Sequence, residues 1–63
     1  MIWYYLEDEN EVAVKMDSNN KIYQIKKSGI DPAKAKSVEI EHPWIVKAYM
    51  HGKEVTEKEF NEY

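Results

Sequence analysis

The sequence predicts a small α+β domain, mainly β, spanning residues 1–63 as one unit. The expected architecture is an antiparallel sheet of about five strands with a short C-terminal helix, in the order β-β-β-turn-β-β-α. Three observations carry this expectation. Residues 2–27 hold three runs of aromatic and β-branched residues separated by polar clusters. Residues 37–55 hold further apolar alternation interrupted by His51-Gly52. The chain closes on Thr56-Glu57-Lys58-Glu59, a helix-start signature, followed by Phe60 and Tyr63.

The first run, Ile2-Trp3-Tyr4-Tyr5-Leu6, is apolar on both faces of a strand, because successive side chains point to opposite sides. Trp3 and Tyr5 share one face; Ile2, Tyr4 and Leu6 share the other. Glu7-Asp8-Glu9-Asn10 reads as a polar turn. Val12, Val14 and Met16 then alternate with Ala13, Lys15 and Asp17, the pattern of a half-buried strand. Ser18-Asn19-Asn20 clusters turn formers, with asparagine the non-glycine residue that best tolerates positive φ. Residues 21–27 resume a strand, with Ile22 on one face and Tyr23 and Ile25 on the other. The three runs together form a meander.

Ser28-Gly29 breaks the pattern, and Asp31-Pro32 supplies an N-cap and an N1 proline for a single helical turn. Residues 37–42 alternate again, with Val38 and Ile40 inward. Residues 43–51 admit two readings. As a strand they align Trp44, Val46, Ala48 and Met50, turn at His51-Gly52 and return through Lys53-Glu54-Val55. As a helix they start at Pro43 and stop at Gly52, with Trp44 and Ala48, and next to them Ile45 and Tyr49, inward. The strand reading is favoured here, because Trp, Ile, Val and Tyr prefer strands. Thr56 and Glu59 form a capping box, and Phe60 and Tyr63 make the inner edge of the last helix.

A chain this short buries only about 60% of the surface its unfolded form exposes. It has no cysteine, so no disulfide or thiolate metal site can staple it. No N-terminal stretch has the make-up of a signal peptide, and no apolar run approaches the ~18 residues of a membrane span. A cytoplasmic protein without membrane association is the expectation. All nine basic residues are lysine. Without the guanidinium fork, specific readout of duplex DNA is not expected. Net charge is −3 but unevenly placed. Residues 1–20 set five acids against one lysine; residues 21–36 set five lysines against Asp31; residues 37–63 set six glutamates against three lysines. Neighbouring strands of opposite charge can pair across a sheet, and a bipolar surface can also steer a partner.

The inventory is poor in catalytic chemistry. Besides tyrosine, the hydroxyls are Ser18, Ser28, Ser37 and Thr56, all at expected turns or caps. Consecutive carboxylates at Glu7, Asp8, Glu9 and Glu11 lack the spacing and central glycine of a calcium loop. His42 and His51, at opposite ends of a strand, would stand roughly 30 Å apart, too far to share a metal. No enzyme, cofactor or metal is expected. Lys26, Lys27 and Lys34, around Ser28-Gly29 and the Pro32 turn, are the candidate anion-binding residues. Lys21, Tyr23 and Lys26 give a weaker basic and aromatic pattern for single-stranded nucleic acid.

More apolar side chains are present than a sheet and one short helix can cover, and uncovered aromatic surface marks interaction sites. The candidate partner-binding surface is the face of Trp3 and Tyr5, or of Tyr4 in the opposite register, rimmed by Glu7, Asp8 and Glu9. In make-up the chain resembles the small accessory proteins of bacteriophages and mobile elements. That resemblance implies binding and blocking of a larger host protein, including anti-defence roles; no motif carries residue roles across. The expected function is a non-enzymatic protein–protein interaction module, an inhibitor or regulator of a larger protein, forming a homodimer or higher oligomer. The alternative is an oligomeric binder that sequesters an anionic metabolite or nucleotide.

Overall fold

The computed structural model describes all residues 1–63. Its elements are β1 (Ile2–Glu7), β2 (Val12–Asp17), β3 (Ile22–Lys27), a single 3₁₀ turn (Pro32–Lys34), β4 (Lys36–Val38), α1 (Pro43–His51), β5 (Lys53–Val55) and α2 (Glu57–Glu62). The strands form one antiparallel sheet in the order β4-β3-β2-β1-β5. The expected five-stranded α+β architecture with a C-terminal helix is therefore present. Neither helix is long and apolar enough to cross a membrane.

Residues 43–51 correct the sequence reading: they are helix, not strand. The reason lies at the two ends and in the topology. His42 Nδ1 accepts from the Trp44 N–H at 3.1 Å, Pro43 occupies the first helical position, and the Gly52 N–H donates to Ala48 O at 2.8 Å. The chain must also pass from one sheet edge, β4, to the other, β5, across three strands. At a strand spacing of about 4.8 Å, that is four spacings, about 19 Å. A nine-residue helix covers about 13.5 Å of that span. It also satisfies its own backbone while covering the sheet. β strand propensity yields to these constraints. The helix separates His42 from His51 by about 14 Å of rise, not the roughly 30 Å of a strand.

The register places Trp3, Tyr5, Val14, Met16, Tyr23, Ile25 and Val38 on the face beneath α1. Ile45 and Ala48 of α1 seat on Val14, Met16 and Ile25, with Tyr5, Tyr23, Val38 and Trp44 packed around them. Ala48 is fully buried, and its small side chain lets the helix lie close. On the opposite face, Phe60 of α2 packs on Tyr4 at 5.3 Å between ring centroids, above the fully buried Ala13. The two-faced apolar strand β1 is thus covered by a helix on each side. Only eleven residues are buried, so much of the apolar surplus stays outside: Ile2, Ile22, Ile30, Ile40, Val46 and Met50 are all exposed.

The two meander turns share one device. Glu7 accepts from the backbone N–H groups of Glu9 and Asn10 at 3.1 and 2.9 Å. Ten residues on, Asp17 accepts from the Asn20 backbone N–H at 3.2 Å and from its side-chain amide at 2.9 Å. Each loop ends on a positive-φ residue, Glu11 at 54° and Lys21 at 55°, not on an asparagine. The asparagines serve the carboxylates instead. Burial pushes the Glu7 carboxyl upward, but hydrogen bonds from Asn10 and Glu9 and the nearby Lys47 outweigh it and hold it below the usual range. Asp17 is lowered chiefly by Asn20, against the opposing effect of burial.

Carboxylates with depressed native pKa values contribute stability above their ordinary values, 4.5 for Glu and 3.8 for Asp. That contribution is lost as pH falls through the native values. The thermal midpoint of the protein is expected to drop on acidification below about 4.5, and Glu7→Gln to flatten that drop, as measured by circular dichroism melts. Gly52 gives a second test. A Cβ there would lie 2.5 Å from Ala48 O and 2.9 Å from Leu6 O, both backbone atoms. Gly52→Ala is expected to cost about 1–3 kcal/mol in urea unfolding, the range for overpacking that forces backbone to shift.

Candidate functional site

The residues singled out from sequence do not gather in one place. Tyr5 flanks the core beneath α1 and meets Tyr49 edge-on at 6.3 Å. Tyr4 is covered by Phe60. Of the three aromatics, Trp3 alone lines an open groove. Glu7 is turned into its loop, Asp8 stands 3.4 Å from the Tyr63 hydroxyl, and Glu9 pairs with Lys47 at 2.7 Å. None of the three acids rims the groove. Glu7 lies four residues past Trp3 on the same strand, about 13 Å away at 3.3 Å per residue.

The groove itself lies between α1 and the end of the sheet that carries the start of β1. Trp3, Met16 and Tyr23 line it from three adjacent strands, Ile45, Val46, Tyr49 and Met50 from the helix, and Ile40 from the loop before it. Ser18 is the one remaining lining residue, and the volume is about 400 Å³. Helix geometry explains the helical wall: residues 46, 49 and 50 are neighbours on one face at i, i+3 and i+4. Ile45 and Ala48 face the core, so Val46, Tyr49 and Met50 stay out of it. Tyr49 and Met50 are each 67% exposed. The hydroxyls of Tyr23, Tyr49 and Ser18 and the indole N–H of Trp3 are the only polar side-chain groups among the lining residues, and none of them is charged. Its chemistry is therefore the burial of an apolar surface presented from outside.

A second hollow, of about 410 Å³, lies on the other side of the N-terminus of α1. Lys27, Lys34, Lys36 and His42 line it with Trp44, Ile25, Ile30 and Lys26. The candidate anion residues divide here. The Lys27 ammonium stands 4.7 Å from the Trp44 ring centroid and donates to Asn10 O at 3.2 Å. Lys34 is exposed at the end of the 3₁₀ turn that Asp31 caps. The Lys26 ammonium is held within the fold: it donates to Ile30 O at 2.9 Å and lies 5.9 Å from the rings of Phe60 and Tyr63. Burial pushes its pKa down, partly offset by Asp31. Lys26 therefore closes the strand-to-turn junction beneath α2.

The sequence reading missed Ile40, Val46, Tyr49 and Met50 in the groove, and Lys36, His42 and Trp44 in the hollow. Their signal was the helical reading of residues 43–51, which aligns 46, 49 and 50 and places His42 at a cap. Compared with protein-family models, curated proteins and solved structures, the chain matches none.

Both sites depend on the start of α1. His42→Ala removes the acceptor for the Trp44 N–H and is expected to cost about 1 kcal/mol in urea unfolding, whereas His42→Asn, which keeps a capping acceptor, retains most of the stability.

Proposed function

We propose that the protein is a non-enzymatic interaction module that binds a larger protein through the groove between α1 and the sheet, acting as its inhibitor or regulator. The observation that supports this reading is the apolar lining of that groove together with the exposure of Tyr49 and Met50 on its helical wall. An unpartnered apolar recess with aromatic walls suits the insertion of apolar side chains from a protein surface. Aromatic residues at such a site supply large buried area at small entropic cost, which makes Trp3 and Tyr49 the expected dominant contacts. A thin core adds to the argument, because burying further surface against a partner also stabilises the domain.

The test compares capture by the tagged protein with capture by Tyr49→Glu and Met50→Glu, with folding checked by circular dichroism. Both side chains point away from the core, so the variants are expected to fold. The reading expects one protein, held at near-equimolar amount by the parent and lost with both variants. A homo-oligomer in native mass spectrometry that both variants dissociate would assign the groove to a second copy and overturn the larger-partner reading.

A further inference from the structure

Separately from the groove, we propose that the hollow between β3, the 3₁₀ turn and the start of α1 binds a phosphate group, free or carried on a small molecule. Beside Lys26, whose ammonium is committed to Ile30 O, four cationic or proton-donating side chains line it: Lys27, Lys34, Lys36 and His42. No carboxylate lines it. The one ion pair in the protein, Lys47 with Glu9, lies elsewhere, so Lys34 and Lys36 are free of acidic partners. Asp31, three residues before Lys34, is occupied as a cap: its Oδ1 accepts from the Ala33 N–H at 2.8 Å. Gathering like charges within a Debye length of about 8–10 Å is unfavourable, and a dianion in the hollow offsets that repulsion.

Two of the four donors are already oriented. The Lys27 ammonium is fixed over the Trp44 ring and bonded to Asn10 O, which leaves N–H groups for a further acceptor. His42 accepts the Trp44 N–H through Nδ1, so its neutral ring carries the proton on Nε2 and can donate from there. Lys34 ends the turn and Lys36 follows it, both exposed, and they supply ammonium groups, the usual point-charge partners of phosphate. The volume, about 410 Å³, exceeds what a bare phosphate needs and falls in the range of small-molecule sites.

The experiment follows amide proton–nitrogen spectra of the full chain during titration with inorganic phosphate, then with AMP and ATP, at ionic strength held constant with sodium chloride. The site predicts saturable shifts centred on residues 27, 34, 36, 42 and 44. In the double variant Lys34→Gln/Lys36→Gln, whose side chains are both exposed, the same titration should weaken by about tenfold or more. Saturation by inorganic phosphate identifies a free-phosphate site, and saturation by the nucleotides alone identifies a carried phosphate; either supports the proposal. It is overturned by the absence of shifts, by shifts that chloride alone reproduces, or by an unchanged response in the folded double variant.

Discussion

The seat of α1 on the sheet is the contact on which the rest of the structure depends. Ile45 and Ala48 press against Val14, Met16 and Ile25, and these five residues are the central cluster of a small core. Without that cover, one face of the meander would expose Trp3, Tyr5, Val14, Met16, Tyr23 and Ile25 together. The close approach at the helix C-terminus, where Gly52 passes Leu6 O, delivers the chain directly into β5. β5 then pairs with β1 and hands over to α2, whose Phe60 covers the other face. One helix thereby closes one side of the sheet, supplies an edge strand and positions the helix that closes the other side.

The same helix organises the surface. Its inner stripe is spent on the core, its flank at Val46, Tyr49 and Met50 makes one wall of the apolar groove, and its capped N-terminus, with His42 and Trp44, makes one wall of the basic hollow. The two candidate sites therefore lie on either side of a single element held by few buried residues. Ligands at either site would bear on the stability of that element, since binding to the folded state alone stabilises it.

Polar groups within the fold are placed where backbone needs them. Glu7 and Asp17 satisfy N–H groups in tight loops, and Lys26 satisfies Ile30 O beneath two aromatic rings. No buried side-chain nitrogen or oxygen lacks a hydrogen-bond partner. In a domain with so thin a core, an unsatisfied buried polar group would cost about 1–3 kcal/mol, a large share of the stability of a small protein.

Much of the architecture was legible in the sequence because it is encoded locally. Alternation specified the meander, Asp31-Pro32 the single turn, and Thr56 with Glu59 the last helix; each depends on residues within a few positions of one another. The apolar surplus was legible too, as a count of side chains that exceeds what so short a chain can cover. Which side chains make up that surplus was not. Trp3, Tyr4 and Tyr5 were the obvious candidates, yet two helices cover much of them, and Ile40, Val46, Tyr49 and Met50 stand outside instead. That outcome turned on residues 43–51, where strand propensity and helix caps pointed in opposite directions. The sheet needed a cover and the chain needed a route across three strands, and no local pattern records either need. Likewise, that Lys26 closes the fold while Lys36 and His42 face a common hollow follows from strand register and helix placement, which only the folded chain brings together.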